Sequence, residues 1–260
     1  VLRLEDDARL QVPQVATLVL RSVAGDVNLR GVTGPLEIVS VDGDVALAEV
    51  GEVQVAGLNG DLAVQRAGAV RASGGLNDDV SLRRVAAVEL TTVCGDLDVN
   101  GAASLALDRV EGDLTAGAVA GEVRLHVVEG DASLRDMGGA VEIGRVEGDL
   151  VARDLRGDLT VTSVQGDAAL HMAFQKDRRY TVSCQSDITV RVPAGTAACF
   201  NVQASRWEVP SGGAFQVETP GPGRAVVRIG TDGPDVHLAA DHKVVFGAGT
   251  EDWEHSFSAF

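Results

Sequence analysis

Aspartate recurs along the chain at Asp26, Asp44, Asp61, Asp79, Asp96, Asp113, Asp131, Asp149, Asp167 and Asp187. In eight of these places the preceding residue is glycine: Gly25, Gly43, Gly60, Gly95, Gly112, Gly130, Gly148 and Gly166. Asp78 and Ser186 stand in for it in the other two. The steps along the series are 18, 17, 18, 17, 17, 18, 18, 18 and finally 20 residues. One carboxylate per turn of a coil would stack acid on acid about 5 Å apart. Stacked carboxylates repel, and a hard cation such as Ca²⁺ would relieve them. That alternative centres on Asp96, Asp113, Asp131 and Asp149, with Glu111, Glu129 and Glu147 in a shorter column alongside. Calcium-binding β-rolls carry Gly-Gly-x-Gly-x-Asp in each half-turn, which this chain lacks. The leading reading is therefore structural, with no metal ligands assigned. Glycine turns a corner that needs positive φ, and aspartate accepts a nearby backbone N–H.

Other chemistry is sparse. His126, His171, His237, His242 and His255 are scattered, and only His237 and His242, near Asp235 and Asp241, hint at a metal pair. No Gly-x-Ser-x-Gly, phosphate loop or dinucleotide fingerprint occurs. No catalytic or cofactor-binding residue is assigned, no cofactor is expected, and the chain reads as a non-enzyme. Cys94, Cys184 and Cys199 form neither a disulfide framework nor a CxxC pair, and read as three small reduced core residues. A net charge of −16 argues against nucleic acid. No apolar run is long enough for a membrane span. Charged residues near Val1 leave no visible signal peptide, which with unpaired cysteines favours a cytoplasmic location.

The elements that must position the Asp column follow from alternation. Val146-Glu147-Gly148-Asp149-Leu150-Val151-Ala152 has period two, so Val146, Leu150 and Ala152 face one way. Like residues align down the chain. Val23, Val41, Leu58, Leu76, Val93, Val110, Val128, Val146 and Val164 lie before the column; Val27, Val45, Leu62, Val80, Leu97, Leu114, Ala132, Leu150 and Ala168 follow it. A second short strand lies about nine residues on, as in Glu122-Val123-Arg124-Leu125 and Ala140-Val141-Glu142-Ile143. The expected fold is all-β: a parallel β-solenoid of about ten turns, two strands per turn. One turn cannot repay its ordering entropy; stacking does so by burying both faces of each layer.

All nine aromatics lie beyond residue 173, and five of seven prolines fall at or after Pro193. The expected organisation is an entry segment over 1–19, the solenoid over 20–190 and a cap with hairpins over 191–260. Cys199–Val209, Ala214–Thr219, Arg224–Gly230 and Asp235–Leu238 are its candidate strands. Glu5, Asp6 and Asp7 are candidate charge guards at the other end. Lys176-Asp177-Arg178-Arg179-Tyr180 stretches the last spacing and reads as an exposed loop.

At the Gly-Asp columns, in segments such as Val110-Glu111-Gly112-Asp113-Leu114 and Val164-Gln165-Gly166-Asp167, the sequence resembles a bacterial adhesin-like family without an assigned function. The resemblance covers roughly residues 15–195. It implies a β-solenoid and carries over no catalytic residue. The expected function is a non-enzymatic scaffold or adhesin-like interaction protein that presents regular acidic β-faces to a protein or glycan. The alternatives are a structural protein that self-associates through the solenoid ends and a carbohydrate-active β-helix enzyme.

Overall fold

The computed structural model describes the backbone of residues 2–4, 8–11, 17–210 and 215–248, and the side chains of 17–210 and 215–247. Glu5, Asp6, Asp7, His255 and the aromatics Trp253, Phe257 and Phe260 lie outside the described residues. The described elements are all strands. They stack as the parallel coils of a β-solenoid, with ten turns from the one that bears Asp26 to the one that bears Asp187.

Each turn has a front strand that follows the aspartate and a back strand half a turn later. Val27–Arg30 is the front strand of the turn that bears Asp26 and Leu36–Ile38 its back strand, and Ala8–Gln11 lies parallel to Val27–Arg30 in the layer below. Front pairs with front in parallel, as in Val27↔Val45, and back with back, as in Leu36↔Val53. In Val80–Val93 and Leu97–Val110 one strand runs the whole turn, corner included, which joins both sides in a single hydrogen-bonded system.

The interior follows from the same spacing. After Asp44 the buried residues are Val45, Leu47 and Val50, then Val53, Val55 and Leu58. After Asp131 they are Ala132, Leu134 and Met137, then Val141, Ile143 and Val146. The first three positions recur eight to nine residues later as the second three, so the two halves of a turn pack as near copies. Each like residue rests on its counterpart one layer below, and the core is a continuous aliphatic column.

One corner is left-handed in layer after layer. Gly31, Glu49, Arg66, Arg84, Gly101, Ala118, Asp136 and Asp154 all have φ between +53° and +79°, each five residues past the aspartate. Only two of the eight are glycine. The glycines before aspartate, expected at a positive-φ corner, are not the left-handed ones. Their reason is contact. A Cβ on Gly43 would sit 2.6 Å from Asp26 Oδ1 and 2.7 Å from the Gly25 carbonyl carbon, one layer below. Glycine is there because two backbones and a carboxylate meet at that point.

The solenoid geometry continues past the last Gly-Asp signal, but out of chain order. After Tyr180–Cys184 and Ile188–Val192, the chain skips a layer and lays down Ala198–Gln203 and Arg206–Glu208. A hairpin of Phe215–Gly221 and Arg224–Ile229 then runs antiparallel against Ala198–Gln203. Finally Asp235–Ala240 and Lys243–Ala248 return to fill the gap, parallel to the strands below and above. So of the four segments expected as cap hairpins only two, Ala214–Thr219 and Arg224–Gly230, pair antiparallel with a neighbour in sequence, and they do so with each other. The rest are solenoid layers. Phe174, Tyr180, Phe200 and Phe246 fill this end edge to face, with neighbouring centroids 5.0–5.1 Å apart. Lys176–Arg179 is an exposed turn, as expected, but Tyr180, expected in the same loop, is buried and opens the strand Tyr180–Cys184.

Candidate functional site

The Asp column is a hydrogen-bond ladder. Each backbone N–H of an aspartate donates to Oδ1 of the aspartate one layer below, at 2.7–3.2 Å from Asp44 to Asp187. Lys243 N–H then donates to Asp187 Oδ1 at 3.1 Å, and Lys243 Nζ lies 3.6 Å from Asp187 Oδ2. The ladder thus crosses into the out-of-order layer and ends on a cation. Bond lengths report the glycine contact. Where glycine precedes the donor, the distance is 2.7–3.0 Å. Where Asp78, Ser186 or His242 does, a Cβ holds the layers apart and the distance is 3.1–3.2 Å.

These donors supply the relief that the alternative reading assigned to calcium. Asp96, Asp113, Asp131 and Asp149 each spend Oδ1 on the next layer. The adjacent Glu111, Glu129 and Glu147 are paired with arginines. Arg109 reaches Glu111 at 3.5 Å and also contacts Glu129, and Arg145 holds Glu147 at 3.1 Å. Among the described residues no group of three or more His, Cys, Asp or Glu is placed to hold a metal. His237 points outward from a back strand, and His242 sits in the turn before Lys243.

The front face has three outward columns. The aspartates form one edge. Two residues on, Thr115, Ser133, Val151, Ala169 and Thr189 lie in register as a floor of small side chains. Two further on, Arg135, Arg153, His171 and Arg191 lie in register as a basic edge. A shallow groove of about 350 Å³ runs over these layers, with Asp113, Asp131, Asp149 and Asp167 along one side, the small residues beneath and Arg153 opposite. Over the layers from Asp131 to Thr189 the acidic column, the small uncharged column and the column of Arg135, Arg153, His171 and Arg191 run side by side, with Arg135 paired to Asp136 at 3.6 Å. Arg135, Arg153, His171 and Arg191 repeat at 18 to 20 residues like the aspartates do, a signal in the sequence that the Gly-Asp spacing overshadows.

The cysteines divide. Cys184 is buried in the core column, and burial pushes its thiol up from 9.0. Cys94 and Cys199 are only partly buried on outer faces, not core residues as expected. All three are free thiols.

Comparison of the chain with protein-family models, with curated proteins and with solved structures returned no match.

Proposed function

We propose that the chain is a non-enzymatic, adhesin-like interaction scaffold that lays an extended, hydroxyl-rich partner, a linear glycan, along the front face. The observation that carries this reading is the charge arrangement of the groove. A polyanion lying in it meets the aspartate edge, and a polycation meets the basic edge. A neutral chain of hydroxyl groups can donate to the free carboxylate oxygens and accept from the guanidinium groups, while the small floor leaves room for its width. The regular layer step of about 4.8 Å favours a partner that is itself a repeating polymer. The resemblance of the Gly-Asp segments to adhesin-like proteins supports the same class. Against catalysis stands the use of the aspartates: Oδ1 of each is tied to the backbone, and the flat rungs raise no cleft around a carboxylate pair.

Binding of cello- and chito-oligosaccharides, followed by NMR and calorimetry, tests the proposal. Amide shifts should map to Thr115, Ser133, Val151, Ala169 and Thr189, and Ala169→Trp should abolish them with the fold intact. Absence of binding by both sugars, or binding indifferent to Ala169→Trp, would sink it. Release of new reducing ends during incubation would overturn the non-enzymatic part.

A further inference from the structure

The back face carries a second concave site, about 260 Å³, that exists only because of the skipped layer. Three segments distant in sequence meet there. Thr181, His237 and Asn201 form one row across three adjacent strands, and Ser183, Ala239 and Gln203 form the next. The hairpin adds Arg224, in register with Gln203, and Pro220 overhangs the rim.

Its chemistry differs from the rest of the surface. The chain carries a net charge of −16, yet no carboxylate lines this pocket. Arg228, on the same hairpin strand, is matched by Glu218 at 2.6 Å. Arg224 forms no ion pair among the described residues. Ala239 at the centre is the smallest side chain of the six in the two rows and leaves the floor open, while its neighbours all end in hydroxyl, amide or imidazole groups. One guanidinium, whose fork matches a carboxylate, beside five polar groups that both donate and accept is the recognition set for a small polyhydroxy acid.

We propose that this pocket binds a sugar acid, with the carboxylate on Arg224 and the ring hydroxyls on Asn201, Gln203, His237, Thr181 and Ser183. It lies on the opposite face from the groove and does not depend on the glycan reading, so either can fail alone. The experiment is an NMR titration of the intact chain with glucuronate, with glucose and acetate as controls. Glucuronate should shift the amides of Thr181–Ser183, Asn201–Gln203 and His237–Ala239 and leave those of the front groove unmoved. Arg224→Gln should weaken it by about tenfold or more. Ala239→Leu, which fills the floor and removes no polar group, should abolish binding while the amide spectrum stays folded. No shift with glucuronate overturns the proposal. So does equal affinity for glucose, which denies the carboxylate contact, or equal affinity for acetate, which denies the hydroxyl contacts. Unchanged binding by both variants would also overturn it.

Discussion

At the scale of single residues, the two corners of a turn make opposite demands. The left-handed corner tolerates any small or flexible residue but strains it. Ala118 sits there at φ +53°, where an L-residue pays about 1–2 kcal/mol. Ala118→Gly should therefore stabilise the fold by about 0.5–1 kcal/mol after the added freedom of the unfolded chain is subtracted. At the corner before aspartate a glycine layer leaves room only for hydrogen, and the layers at Asp78, Ser186 and His242 take a Cβ with a longer ladder bond. Gly112→Ala would place a Cβ 2.7 Å from the Gly95 carbonyl oxygen, and should destabilise by about 2 kcal/mol or more. Urea denaturation of both variants measures the pair, and two shifts of the same sign would refute this assignment of the corners. Sequence reading placed the strain at the wrong corner for a physical reason. Glycine marks close approach as well as positive φ, and the letters alone do not separate the two. Glu49, Arg66 and Arg84 occupy the left-handed column with nothing in their chemistry to announce it. There the surrounding layers, not the residue, impose the conformation.

At the scale of elements, the aromatic end of the solenoid should be sensitive to alkali. Burial pushes the Tyr180 hydroxyl up from its ordinary 10.0, and the Gln175 N–H it accepts at 2.9 Å only partly offsets that. The Cys184 thiol is likewise raised from 9.0 by burial. Both groups are neutral in the fold and ionise more readily in the unfolded chain. Their contribution is complete below the unfolded values and is lost as pH rises through the folded ones. The melting temperature should stay level to about pH 8 and decline above about pH 9, as the unfolded thiol and then the unfolded phenol ionise. Tyr180→Phe should lower stability at neutral pH by about 1 kcal/mol, because the Gln175 donor loses its acceptor, and should flatten the upper part of the decline. An unaltered alkaline profile in that variant would remove Tyr180 as its cause. Elements up to Ile188–Val192 were legible in sequence, since period two and the Gly-Asp spacing coincide there. Asp235–Ala240 and Lys243–Ala248 were read as cap pieces because the layer they form lies between two layers laid down earlier in the chain, where no spacing along the chain can point to it.

At the scale of the whole molecule, an excess of sixteen negative charges is spread over a narrow rod. Like charges recur in every layer, so self-repulsion is built into the repeat, and the hydrogen-bonded ladder offsets it only along one column. Salt should raise the melting temperature as the screening length falls from about 30 Å at low ionic strength to about 8 Å at physiological strength. Scanning calorimetry across a sodium chloride series checks this, with an uncharged osmolyte as the control. A fall in melting temperature with salt would mean that the surface pairs of Arg71, Arg109 and Arg145 outweigh the repulsion. The aspartate edge of the front groove was legible because it coincides with the architectural repeat. The cap pocket was not, because Thr181, Asn201 and His237 become neighbours only through the skipped layer. That skipped layer also sets a constraint on biosynthesis. Turns that emerge from a ribosome can stack one after another as far as Val192, each using the one before it as a template. Ala198–Gln203 cannot take its final place in that way, since the strand it must lie against, Asp235–Ala240, has not yet been made. The nascent rod therefore keeps Tyr180–Cys184 and Ile188–Val192 as an open edge until Asp235–Ala240 and Lys243–Ala248 emerge, and a chain truncated before Asp235 would be folded along its length with that edge left bare.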